Sequence, residues 1–223
     1  MTAMRLIIWR HGRTEWNATG RFQGQADIGL DDLGRQQAAD AAAVLSTIKI
    51  DSVVASDLSR ARDTAQTLAN LVGLEVSYDP RLREIHVGSW EGLTAQDIAD
   101  LDPDFAPAYT RGEDVRRSAS GESTTEVARR AGLALRDIVA KAADGSTVLA
   151  VMHGLAGKVG TCWFLDLPYG CWHSFAGMDN CHWIDLRNDA GSWRLHGYNL
   201  GALSNERAER PVVPMDHRLG DAP

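Results

Sequence analysis

The sequence predicts an α/β fold of three layers (α/β/α), with helices covering both faces of a mostly parallel central sheet. Three observations carry that reading. Short runs rich in Val, Ile or Leu recur at residues 5–9, 52–55, 75–78 and 147–152, most of them beside turn or cap residues. Helix-like segments alternate with these strands, as parallel pairing requires. The 223 residues, 44% of them apolar, are enough to bury a substantial core.

Each element follows in order. The first strand runs through Leu6, Ile7, Ile8 and Trp9 into Arg10-His11-Gly12. A helix over 32–46 has Asp31 as its N-cap, with Leu33, Gln37, Ala41, Val44 and Leu45 on one face. The second strand leads to a helix over 58–72 that Gly73 ends. Residues 88–121 break the alternation: they hold Pro103, Pro107, several charges and a short helix over 94–101, and read as an inserted helical lid. A capping box of Ser123 and Glu126 opens a long helix over 123–142, through Val127, Ala131, Leu135 and Ile138. The strand at 147–152 precedes a helix over 155–165 and then a C-terminal β-hairpin, 182–186 with 193–198, turning at 188–191. The tail over 204–223 is polar, carries Pro211 and Pro214, and is expected to be partly disordered. Neither repeats nor low-complexity segments divide the chain, so one domain over 1–223 is expected.

Charge and composition exclude several classes. A net charge of −7 opposes bulk attraction to nucleic acid, although a small basic pocket can still oppose the global sign. Cys162, Cys171 and Cys181 are odd in number and form no C-x-x-C, which fits neither a disulfide framework nor a zinc cluster. Residues 1–10 hold a four-residue apolar run, too short for a signal-peptide core. No stretch approaches the roughly 20 apolar residues of a membrane span. A cytoplasmic protein with no nucleic-acid or membrane partner is expected.

Four segments carry chemistry. A histidine at a strand end is most often structural, but Arg10 beside His11 supplies a cation that favours the neutral, nucleophilic imidazole. Gly12 lets the backbone turn or approach a ligand closely. A second unit, "VLAVMHGLAG", again ends an apolar strand in His153-Gly154 and opens a helix whose N–H groups suit a phosphate oxygen. Parallel strands would bring both histidines to one sheet edge. Metal binding is the competing use of two histidines; it needs further ligands, and no H-x-H or H-E-x-x-H spacing is present. In "VVASDLSRARDTA", Arg60 starts the next helix, where a cation opposes the macrodipole, and a bidentate phosphate contact explains it. In "RLREIHVGSWEG", Glu84 precedes a glycine-containing turn. Transfer of phosphate from an alcohol to a histidine needs an acid for the departing alkoxide, which Glu84 could supply.

These segments together resemble the histidine phosphatase superfamily, the phosphoglycerate mutase-like fold. R-H-G-x-T-x-x-N is met at Arg10, His11, Gly12, Thr14 and Asn17; "SDLSRARDTA", "LREIHVGSWEG" and "VMHG" follow in the family's order. The resemblance implies that His11 attacks phosphorus and becomes a phosphohistidine. It implies that Arg10, Arg60 and His153 hold the equatorial oxygens, helped by Asn17 and by the backbone at Gly154. Glu84 would protonate the leaving oxygen and then activate water, and Gln23 and Gly24 of "GRFQGQAD" would approach the substrate. No metal and no organic cofactor is implied.

Within the family, the acid motif is similar to the phosphatase branch rather than the mutase branch. The segments "AGMDNCHW" and "WRLHGYN" are similar to phosphatases of glucosyl-3-phosphoglycerate. The implied substrate is a small acidic sugar or glycerate phosphate of that kind, and the implied assembly a homodimer. Trp172, Trp183 and Trp193 could serve an interface or simply fill the core. Arg116-Arg117 could anchor the lid or recognise a carboxylate. A cofactor-dependent phosphoglycerate mutase, a broad-specificity sugar phosphatase and a non-catalytic phosphate-binding module remain the alternatives.

Overall fold

Strand β1 (Arg5–Arg10) lies near the centre of a six-stranded sheet, buried from Leu6 to Trp9, and its side chains divide the core in two. The computed structural model describes residues 4–202; the expected disorder of the tail concerns residues outside that range. Ile7 and Trp9 point to one face and Leu6 and Ile8 to the other, the period of two that an extended strand imposes. The chain continues through α1 (Glu15–Ala18), α2 (Asp32–Leu45), β2 (Ser52–Ala55), α3 (Ser59–Val72) and β3 (Val76–Tyr78). The segment expected as a lid holds α4 (Ala95–Leu101) and α5 (Phe105–Thr110). Then come α6 (Thr124–Lys141), β4 (Thr147–Met152), α7 (Gly154–Phe164), β5 (Trp183–Asp189) and β6 (Ser192–Leu200).

The sheet order is β3-β2-β4-β1-β5-β6. The first four strands are parallel, and β5 and β6 add an antiparallel hairpin at one edge. Helices α2 and α3 cover the Ile7–Trp9 face, while α6 and α7 cover the other. The hairpin turns through two residues, Ala190 and Gly191, both at positive φ, as a tight two-residue turn demands. Trp172 and Trp183 are buried, and Trp193 packs edge-on against Phe164, so these rings belong to the core.

One expectation is corrected. Leu33 and Val44 do not join the buried face of α2; they are 39% and 41% exposed. That face is Gly34, Ala38, Ala41, Ala42 and Leu45, because small side chains let α2 settle closely onto the sheet and α3. Pro107 lies inside a helix of the 88–121 segment. It occupies the third position of α5, where an absent N–H costs no intrahelical bond.

The same close packing explains Gly12. A Cβ there would lie 2.3 Å from Gly34 O, and one at Gly34 would lie 2.0 Å from Arg13 O. The loop after β1 therefore rests directly on the start of α2, and the absence of a side chain at Gly12 is what this backbone contact requires. Gly34→Ala should destabilise the fold by about 1–3 kcal/mol by overpacking, despite alanine's better helix propensity. Urea unfolding measures it; an unchanged or raised midpoint would contradict the contact.

Candidate active site

Parallel register brings the two histidines together. β1 pairs with β4 so that Arg10 faces Met152, and the His11 N–H donates to Met152 O at 3.1 Å. The next residue on each strand is a histidine, and the two rings lie 5.0 Å apart, edge to face. β2 runs on the other side of β4; its continuation, Ser56, places Oγ 2.9 Å from His153 Nε2. Arg60 enters from the first turn of α3, and Glu84 from the stretch after β3. All five arrive at the carboxyl ends of parallel strands, where open α/β sheets place their sites.

Hydrogen bonding sets the His11 tautomer. Its Nδ1 lies 2.7 Å from Gly12 O, and a carbonyl can only accept, so Nδ1 carries the proton. Nε2 keeps its lone pair. Burial, then Arg60 and Arg10, push His11 well below its ordinary 6.5, and burial does the same to His153 with help from Arg60, His11, Arg10 and Arg130. Both imidazoles are therefore neutral in the folded chain near neutral pH.

Arg60 is 1% exposed. Its Nη1 donates to Ala26 O and its Nη2 to Gly24 O, so the guanidinium supports the 20–27 loop as well as the site. Burial lowers it to about 10, which still leaves it charged near neutral pH. Arg60 Nε, His153 Nδ1 and Gln23 Oε1 are buried without a hydrogen-bond partner among the described residues. Such orphans cost about 1–3 kcal/mol each unless a ligand completes them. Asn17 Oδ1 takes Thr14 N, Thr14 Oγ1 and Asn180 Nδ2, so the amide nitrogen is the end left for a ligand. Gly24 stands at φ +52°, and a Cβ there would meet Val87 at 2.6 Å.

The backbone after His153 serves two neighbours. Leu155 N donates to Glu84 Oε2 at 3.1 Å and Ala156 N to Glu84 Oε1 at 2.9 Å. The start of α7 thus holds the carboxylate, and those two N–H groups are not the phosphate donors expected there. Gly154 packs against Arg10, where a Cβ would lie 3.3 Å from the guanidinium carbon.

These groups border a cavity of about 270 Å³. Arg10, Arg21, Arg60 and Arg117 line it, against the single lining carboxylate of Glu84, so the hollow is cationic in a chain of net charge −7. Its lining includes His11, Asn17, Gln23 and Gly24 among the residues expected from the sequence; His153 lies behind, against His11. An anion with several oxygens matches this arrangement, and His11 Nε2 can act on it as a neutral nucleophile. No group of three His, Cys, Asp or Glu side chains suited to a metal occurs among the described residues.

The arginine pair separates. Arg116 reaches outward to Glu126 and Gly121 O. Arg117 is 4% exposed, lines the cavity, and stacks over the Phe105 and Tyr109 rings at 5.2 and 4.7 Å. Ser56, Phe105 and Tyr109 escaped the reading of the sequence as site residues. Ser56 had a signal, the end of its strand; the two rings had none, because the lid's fold was not legible.

Comparison with known proteins extends this picture. The profile of the histidine phosphatase superfamily (branch 1) matches residues 6–201. A glucosyl-3-phosphoglycerate phosphatase of Mycolicibacterium vanbaalenii is 38% identical over 91% of this chain and 97% of its own length. A protein of Erwinia tasmaniensis named "Probable phosphoglycerate mutase GpmB" is 33% identical over 87% of this chain and 90% of its own. The solved structure of a mycobacterial glucosyl-3-phosphoglycerate phosphatase in complex with VO3 superposes with a TM-score of 0.83, at 38% identity, covering 89% of this chain and all of that one.

The two neutral histidines make stability depend on pH. Unfolding raises both toward 6.5, so below that pH the unfolded chain binds more protons and stability falls. Urea unfolding from about pH 7.5 to about 5.5 should lose stability below 6.5 by up to roughly 1.4 kcal/mol per pH unit for each ring. His153→Gln should remove one ring's share of that slope; an equal slope in both proteins would contradict the assignment.

Proposed function

The chain belongs to branch 1 of the histidine phosphatase superfamily, and from that premise we propose that it is a metal-independent phosphomonoesterase working through a phosphohistidine. The observation that carries the proposal is His11, a neutral imidazole with its lone pair on Nε2, beside buried Arg60 and 5.0 Å from His153. His11 Nε2 attacks phosphorus in line, and the P–O bond to the alcohol breaks. Arg10, Arg60 and His153 take the equatorial oxygens, with Asn17, Gln23 and the backbone at Gly24 and Gly154 closing around them. Glu84 gives its proton to the departing oxygen. It then accepts a proton from the water that attacks the phosphohistidine, which releases inorganic phosphate and restores His11.

The proposed substrate is a small acidic sugar or glycerate phosphate, with glucosyl-3-phosphoglycerate or a related glycoside first. Two observations support it: relatives carry that name across nearly the whole chain, and Arg117 adds a buried cation to the cavity wall. A guanidinium there can take a carboxylate bidentately. The mutase reading is the alternative, supported by relatives of that name. We further infer a cytoplasmic homodimer built from a single domain. The buried free thiols of Cys162 and Cys181, pushed up to about 11 and about 12 by burial, suit a reducing compartment. The edge strand β6 exposes Leu195 and Leu200 for a partner.

Incubation with 3-phosphoglycerate separates the readings: a phosphatase releases inorganic phosphate, and a mutase makes 2-phosphoglycerate. A screen over sugar, glycerate and glycosylated glycerate phosphates then ranks substrates by kcat/KM. His11→Ala should abolish turnover of p-nitrophenyl phosphate; retention of full turnover would end the proposal. Arg117→Ala should raise KM about 10- to 100-fold for substrates bearing a carboxylate, the worth of one charged hydrogen-bonded contact. It should leave p-nitrophenyl phosphate far less affected, and equal losses on both would remove Arg117 from carboxylate recognition.

A further inference from the structure

Arg130 lies in the first half of α6, outside the motifs that the family resemblance accounts for, and is mostly buried. A guanidinium has five N–H donors in a planar fork, and here all five are engaged. Nη1 donates to Arg81 O at 2.7 Å and to Arg83 O at 2.9 Å. Nη2 donates to Glu84 O at 3.2 Å and to Glu122 Oε2 at 2.7 Å, and Nε to Glu122 Oε1 at 2.8 Å. Glu122 in turn accepts the His86 N–H at 2.9 Å and pairs its own backbone N–H with His86 O at 2.7 Å. The segment 81–86 belongs to no strand, and Arg81 O, Arg83 O, Glu84 O and the His86 N–H all find partners in this one ion pair. Gln25 adds a single further donor to Glu84 O, at 3.1 Å.

Glu84 is thereby held at both ends. Its carbonyl is tied to α6 through Arg130, and its carboxylate to the start of α7 through Leu155 N and Ala156 N. We propose that Arg130, with Glu122, is the positioning residue of the proton-transferring carboxylate: its fork fixes the backbone from which Glu84 reaches the leaving oxygen. The inference rests on the reading of Glu84 as the acid. Lysine cannot replace the fork, having three donors for five acceptors.

A leaving-group comparison tests it. p-Nitrophenolate departs without a proton, whereas the alkoxide of β-glycerophosphate needs one, and kcat/KM reports the step that forms the phosphohistidine. Arg130→Gln should lose about 100-fold in kcat/KM on β-glycerophosphate, the low end of what general acid catalysis supplies, and no more than roughly threefold on p-nitrophenyl phosphate. Arg130→Lys should show the same split, and Glu122→Gln a smaller one. Equal losses on both substrates would make Arg130 a structural residue only, and full rescue by lysine would make its charge, not its fork, the working feature; either result overturns the proposal. Glu84→Gln sets the scale. If it shows the split and the Arg130 variants do not, the inference falls and the acid assignment stands. If Glu84→Gln shows no split, the acid assignment falls and takes the inference with it.

Discussion

A buried guanidinium beside two neutral imidazoles is the constraint on which the site depends. Arg60 is 1% exposed, and among the described residues its side-chain hydrogen bonds go to no carboxylate; Glu84 and Asp27 act on it only through space. The protein supplies carbonyl oxygens instead, from Gly24 and Ala26. Carbonyls solvate a cation without neutralising it, so the positive charge is preserved for a ligand. That charge acts with burial to keep His11 and His153 unprotonated. It also fixes the 20–27 loop, so the group that keeps His11 neutral and the group that shapes the cavity wall are one side chain.

The sheet makes this arrangement rigid. β1, β4 and β2 are adjacent and parallel, with apolar side chains on both faces, and their registers align His11, His153 and Ser56 along one edge. A slip of one residue would reverse the faces of an entire strand and bury its polar end. The positions of the histidines are therefore secured by the burial of Leu6 to Trp9 and Val148 to Met152, not by contacts between the histidines. The packing of Gly12 on Gly34 extends the same precision to the loop that holds the nucleophile.

Legibility followed the range of the interactions. The strands 52–55 and 147–152 were readable because a fully buried parallel strand is a short apolar run between turn signals. The long helix was readable from Ser123 and Glu126, whose capping box forms. Asp31 capped α2 as expected, yet the buried face was misjudged, since hydrophobicity favoured Leu33 and Val44 where the packing required glycine and alanine. His11, Arg60 and Glu84 stood out because each breaks a local rule, and their convergence followed from topology. The division of Arg116 from Arg117 was not readable, because it depends on where α5 places two rings. Nor was the capture of Glu84 by Leu155 and Ala156, a contact across 71 and 72 residues that no local pattern encodes.

The cavity joins two kinds of structure, and the difference bears on specificity. Its phosphate end is made of strand termini whose geometry the core dictates. Its other end is the 88–121 segment, with two short helices and a guanidinium packed over two stacked aromatic rings. The first end is bound into a packed sheet, so substitutions that shift its strand backbone or core packing cost stability. The second end can change shape and charge at small cost to the fold, because α4 and α5 bury few large side chains, chiefly Ile98 and Phe105. The boundary between them is the 81–86 segment, which carries Glu84 and whose backbone is bonded to Glu122 at the lid's exit. Whatever residues fill 88–121, that boundary has to stay in register with α7 for Glu84 to keep its bonds to Leu155 N and Ala156 N. Arg130, rooted in α6 and paired with Glu122 just before that helix, is placed to hold it so.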